Sequence, residues 1–171
     1  ADLVNPLSKF SFGLAESLLR DIPANKFARL ATPGGVKIES NHPAFCYGHL
    51  AIYPARIAEA MGISVPAAAA PAGFTDLFAA GKACVDDPEG TIYPAMGVIT
   101  AAFFDGYRGV LAAITSADPA IMDKAHPNEK MRERFPSVGA LAVFLFTSHI
   151  MMHMGQVSAW RRMMGMPPVQ L

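Results

Sequence analysis

The sequence predicts an all-α protein built on four long helices, with at least one connection that crosses over the others and a few short extra helical turns. Three observations carry that expectation. Four segments repeat apolar residues at spacings of three and four, the period of a helix. No two alternating segments flank a tight turn, as a β-hairpin requires. The stretch between the second and third helices is too long for a simple up-and-down chain. With 171 residues the chain suits a single domain, 1–171, large enough to bury most of its apolar surface without staples.

The first helix opens at Asn5-Pro6, a capping residue followed by proline at the first helical position, where a missing N–H costs nothing. Leu7, Phe10, Leu14 and Leu18 give its apolar stripe, and Pro23 stops it near Ile22. Residues 24–40 form a loop around Thr32-Pro33-Gly34-Gly35, with a short extended piece at Val36-Lys37-Ile38. Ser40-Asn41-His42-Pro43 opens the second helix by the same cap-then-proline logic, and Gly62 suits the position just past its end. Pro54 lies inside that helix. It should free the carbonyl of Leu50 and kink the chain just after His49, or divide the segment into two short helices.

Residues 63–73, rich in Pro and Ala, read as a loop packed along the surface, and Phe74 to Phe78 as a single helical turn. A turn follows at Asp86-Asp87-Pro88-Glu89-Gly90. The third helix, from near Pro94 to Ser116, presents Met96, Ile99, Phe103, Gly106, Val110 and Ala113 as a seam, with Gly106 admitting a close neighbour. Asp105 in that helix pairs with Arg108 at i+3. Residues 117–136 form a connector with a short polar helix. Pro136 then suits the first turn of the fourth helix, which is apolar from Val138 through Trp160 and ends near Met164 before Gly165 and Pro167-Pro168.

Charge and cysteine usage narrow the function classes. Lys+Arg and Asp+Glu each number 14, so the net charge is zero, and no basic stripe offers itself to nucleic acid. Zero charge with 52% hydrophobic residues favours self-association, here a homodimer through faces rich in Met and Ala. Cys46 and Cys84 fall in a helix and a loop and read as free thiols, which fits a reducing compartment. Ala1-Asp2-Leu3 lacks the basic region and apolar core of a signal peptide. No apolar run reaches the ~18 residues of a membrane span. A cytoplasmic protein with no membrane partner is expected.

The chemistry concentrates in Ser148-His149-Ile150-Met151-Met152-His153-Met154-Gly155-Gln156. Histidines at i and i+4 lie about 40° apart on one helix face, one turn above the other, and can reach one metal ion. The alternative is a pair of core histidines satisfied by hydrogen bonds. Gln156 and Trp160 share their stripe. Ile150 stands where a zincin carries its catalytic glutamate, which disfavours a metallopeptidase. His49, mid-helix in Cys46-Tyr47-Gly48-His49-Leu50, is the third candidate ligand, with Cys46 at i−3 and Tyr53 at i+4 on its stripe. Three ligands leave a position open, as catalytic sites do. His42 reads as a helix-start residue and His126 as a loop residue. Cys46, Tyr53 and Gln156 are candidates for the surround of the site; Trp160 and the nearby methionines read as core or interface.

Tyr47-Gly48-His49-Leu50, the string His149-x3-His153-x-Gly155-Gln156, and Trp160-Arg161-Arg162 with Gly165-Met166-Pro167 resemble the DinB/YfiT-like family, a likeness that extends over roughly residues 5–168 through helix count and order. The resemblance implies a four-helix bundle with crossover topology and one divalent metal ion, zinc or nickel most often, held by His49, His149 and His153. It also implies homodimers and a small-molecule substrate. Relatives include thiol-dependent isomerases and transferases, which use a low-molecular-weight thiol, and proteins described as metal-dependent hydrolases. The expected function is that of a metal-dependent enzyme. A bundle that binds metal or a small molecule without turnover is the alternative. Two structural expectations follow: Phe74, Phe78 and Tyr93 bring the 63–73 and 86–93 loops close to the metal site, and the bend at Pro54 aims His49 at the fourth helix.

Overall fold

The computed structural model describes residues 4–169; the Ala1-Asp2-Leu3 segment lies outside them. The fold is all-helical. Among the described residues there is no strand, only an isolated antiparallel bridge between Ala125 and Ser137. The extended piece expected at 36–38 forms no ladder. Val36 is extended (φ −92°, ψ 119°), and two short 3-10 turns, Ala24–Lys26 and Pro33–Gly35, shape the loop before it.

Helix α1 spans Val4–Leu19, so Asn5 and Pro6 lie within it rather than capping it. It ends three residues before the expected Ile22, because the chain turns at Asp21, whose φ of 61° is left-handed. Its buried face also differs from the expected one. Leu7 and Phe10 are 45% and 53% exposed, while Val4, Ser8, Ser11, Phe12, Ala15 and Leu18 face inward. Ser8 and Ser11 can be buried because their hydroxyls donate to the Asn5 and Leu7 carbonyls within the same helix.

Proline divides the second helical segment. Helix α2, Pro43–Ala51, is capped by His42, whose Nδ1 accepts from the Phe45 N–H. Helix α3, Pro54–Met61, starts on its own proline. The Tyr53 N–H donates to Leu50 and the Ile52 N–H to His49, so α2 closes with tight i→i−3 bonds and the chain divides rather than bends. Gly62, at φ 72°, ends α3 as expected, with the Ile63 N–H returning to the Ala58 carbonyl. The single turn α4, Phe74–Phe78, is also as expected.

Helix α5, Met96–Ser116, buries Ile99, Phe103, Gly106, Tyr107, Val110 and Ile114. The seam ends on Ile114 rather than Ala113. The 63–73 loop packs on this helix. A Cβ on Gly106 would lie 3.1 Å from Pro54 Cγ, and one on Gly109 would lie 2.9 Å from Ala67 Cβ. Arg108 pairs with Glu16 at 2.8 Å, correcting the expected partner Asp105. Two four-residue turns, α6 Ala120–Asp123 and α7 Glu129–Arg132, occupy the connector. The last helix begins at Val138, not Pro136, on a Ser137 cap, and Thr147 interrupts it (φ −122°, ψ −85°), leaving α8, Val138–Phe146, and α9, Ser148–Met163.

Helices α1, α2, α5, α8 and α9 meet around one core. Phe12, Tyr47, Phe103, Tyr107 and Phe146 interlock there with ring centroids 5.2 to 6.4 Å apart. The Tyr47 hydroxyl donates to the Ala15 carbonyl. Arg161 on α9 is 3% exposed and ties the end of α1 to the chain after α9, donating to the carbonyls of Leu18, Arg20 and Pro167. Met96–Ser116 and the 26-residue stretch Val138–Met163 are long and apolar enough, by length and composition, to cross a membrane. This corrects the expectation that no apolar run reaches that length: the scattered polar residues leave the mean hydropathy of both stretches high. The core helix of a soluble protein passes the same test.

Candidate metal centre

His49 and Cys46 enter the interior from α2, while His149, His153 and Gln156 enter from the first three turns of α9. The four-residue spacing places the His149 and His153 rings 5.0 Å apart, and α2 brings His49 to 5.3 and 4.8 Å from them. One nitrogen from each of the three rings lies within 4.8 Å of the others, and all three residues are buried. That cluster could hold a metal ion.

Two rings are oriented by a hydrogen bond on the nitrogen away from their free lone pair. His49 Nδ1 donates to the Phe78 carbonyl at 2.7 Å, and His153 Nδ1 donates to Gln156 Oε1 at 2.9 Å. Each bond selects the tautomer that leaves Nε2 as a lone-pair donor. Gln156 is itself held: its Oε1 also accepts from Asn41 Nδ2 at 3.1 Å and from the Cys46 thiol at 3.5 Å. His149 Nδ1 and His153 Nε2 are buried with no protein partner. Burial pulls all three histidines below their ordinary range, with the neighbouring rings adding to the effect at His149 and His153. His149, which also faces the cations Arg56 and Arg134, drops to about 3. The rings are therefore neutral near pH 7, the form that binds metal.

Aromatic side chains wall the cluster. Phe45 stacks on His49 at 6.3 Å and Phe144 on His149 at 5.7 Å. The Tyr53 ring lies 4.4 Å from that of His149 and 4.9 Å from that of His49. Phe78 also explains Gly48. A Cβ there would lie 2.5 Å from the Phe78 ring, so only glycine lets α4 come close enough for its carbonyl to reach His49. Tyr93 stacks on Phe78 at 5.6 Å and Phe74 meets it at 5.1 Å. The 74–78 turn thus reaches the site directly and the 86–93 loop through one ring. Nothing within 4 Å constrains Gly155.

Cys46 stays outside the cluster, and burial drives its thiol far above the ordinary range. Cys84, the other free thiol, is pushed up to about 11 by burial. His42 and His126 are absent from the cluster as well. His42 caps α2, with Nε2 on the Val85 carbonyl, and His126 Nδ1 accepts from the Asn128 N–H. Trp160 donates to the Arg29 carbonyl at 2.8 Å and belongs to the core.

A cavity of about 690 Å³ opens beside His149. It is bounded by α3, the 126–135 connector, α8 and Met152. Sequence reasoning missed this wall. Arg56 and Arg134 look like any exposed charges on a polar surface, and no spacing rule joins residues so far apart. No family model, curated protein or solved structure matches the chain.

Proposed function

We propose that the protein is a metal-dependent enzyme of the DinB/YfiT-like kind, a four-helix bundle with a crossover connection in which His49, His149 and His153 bind one divalent ion, zinc or nickel. One observation carries this reading: three buried imidazoles converge within 4.8 Å, and two of their nitrogens have no protein partner. An unsatisfied buried polar group costs ~1–3 kcal/mol, so a shared cation is the natural partner for a cluster of neutral rings. A divalent ion there would supply a Lewis-acid centre with a coordination position left open for the reacting group. The protein's own part is to orient the rings through Phe78 and Gln156, exclude water with Phe45, Tyr53 and Phe144, and admit a small molecule from the cavity. The chemistry is hydrolysis, or group transfer or isomerisation with a low-molecular-weight thiol.

The cluster contains no carboxylate among the described residues, and Ile150 fills the place of a zincin glutamate. That favours, as a second reading, a bundle that binds metal or a small molecule without turnover. Metal analysis of the purified protein should find one equivalent of divalent ion per chain, and His153→Ala should lower it. Retention of one equivalent at unchanged affinity in that variant would overturn the site. An ester and thiol-cofactor panel on loaded protein then separates the two readings. We place the protein in the cytoplasm as a homodimer, supported by its free thiols, zero net charge and the exposed Leu7 and Phe10. A monomeric mass in light scattering at micromolar concentration would refute the dimer.

A further inference from the structure

The cavity beside His149 carries two cations that form no ion pair among the described residues. Arg56 on α3 and Arg134 just after α7 both line it. The ion pairs among the described residues are Arg29–Asp86, Lys37–Glu39, Arg108–Glu16 and Arg132–Glu129, and neither cavity arginine is in one. Each sits over aromatic rings instead. The Arg56 guanidinium lies 4.6 Å from the Tyr53 centroid, and that of Arg134 lies 5.3 Å from Phe135 and 5.6 Å from Phe144. Tyr53 and Phe144 are the rings packed on His149, so the cations flank the way in to the cluster. Stacking of this kind fixes the guanidinium plane while leaving its N–H edge available.

Glu59 is the single acid in the lining among the described residues. Two arginines less one glutamate leave one net positive charge, leaving the histidines aside. Much of the remaining wall is apolar, including Met131, Leu141, Leu145 and Met152. The volume falls within the ~300–1,000 Å³ of small-molecule sites.

We propose that this cavity binds a monoanionic organic carboxylate, held by Arg56 and Arg134, with an apolar body running over Met131, Leu141 and Leu145 toward His149. The guanidinium fork matches a carboxylate in two parallel hydrogen bonds. One net charge matches a monoanion, and Glu59 opposes the second charge of a phosphomonoester. This inference deepens the metal-dependent reading by naming its substrate class, and it rests on that reading for the reaction though not for binding.

The test titrates the purified protein, its metal content measured, with 3-phenylpropionate and octanoate, each against its neutral alcohol, and with phenyl phosphate. A charged hydrogen bond contributes ~1.5–3 kcal/mol, so an acid should bind roughly tenfold or more tighter than its alcohol, with Kd below about 10 mM. It should also bind tighter than phenyl phosphate. The double variant Arg56→Gln/Arg134→Gln should abolish the preference without changing metal content or thermal midpoint, since both side chains are exposed. The Lys/Lys variant should keep part of it. The inference is overturned if no acid binds below about 10 mM, if alcohols or the phosphate bind as tightly, or if the Gln/Gln variant keeps the preference, which would put the carboxylate on the metal ion. A preference that depends on the arginines in protein without metal would uphold the carboxylate site and refute the metal-dependent reading. Bound metal with no acid preference would do the reverse.

Discussion

Gln156 Oε1 receives three donors, from Asn41, Cys46 and His153, so the ring of His153 is set by residues from the α2 entrance as well as by its own helix. His49, His149 and His153 were legible in the sequence because helical spacing alone puts two rings on one face and a third mid-helix. Gly48 was not, because its reason is Phe78, thirty residues on. Gly48→Ala must displace a fully buried ring. Overpacking of this kind costs ~1–3 kcal/mol, and here it also moves the carbonyl that orients His49. Chemical denaturation with metal titration should show both losses; an unchanged midpoint would mean that Phe78 yields freely. Acid acts on the same residues. The folded histidines are depressed by burial, His149 to about 3. From about pH 6.5 downward the unfolded chain therefore binds protons that the folded chain refuses. Metal-free protein should lose stability as pH falls through that window, by up to about 1.4 kcal/mol per pH unit for each ring involved. Urea melts at several pH values should show a shallower loss in His149→Leu, and parallel curves would refute the assignment.

Elements were legible where a single residue decides them. Pro43, Pro54, Gly62 and Gly165 mark helix ends through backbone geometry that no tertiary contact has to supply. The stripe of α1 was misread because large apolar residues are only usually the buried ones. Here Ser8 and Ser11 satisfy themselves on their own helix. Thr147 was invisible in an apolar run. The break depends on its angles, with Oγ1 donating to the Val143 carbonyl at 2.6 Å, and it resets the direction of α9 just before His149. The seam of α5 offers a test at this scale. Gly109→Val would drive a side chain into Ala67 and Val65 and lift the 63–73 loop, costing ~1–3 kcal/mol. Because the close contacts of Val65 and Ala67 are with α5, metal stoichiometry should hold while the thermal midpoint falls; a fall in both would show that the loop supports the site.

At the scale of the whole molecule, Arg161 holds the end of α1 and the chain after α9 through three carbonyls and forms no ion pair among the described residues. Arg161→Ala would leave those carbonyls short of partners and remove a buried stem, so a loss of ~3–5 kcal/mol is expected, read by thermal melting; a loss below about 1 kcal/mol would show that water replaces the guanidinium. The arrangement around this residue was not legible, because a sequence lists Arg161 without showing which chain ends arrive there. The site itself joins distant parts of the chain. His49 and His149 stand 149 − 49 = 100 residues apart, and closing so long a loop is entropically costly and slow relative to forming a helix. Neither half of the polypeptide owns the centre. During refolding from denaturant, helical circular dichroism should therefore recover first, and zinc uptake, followed with a chromogenic chelator, should lag behind it, timing the moment at which the two distant ends of the chain find each other.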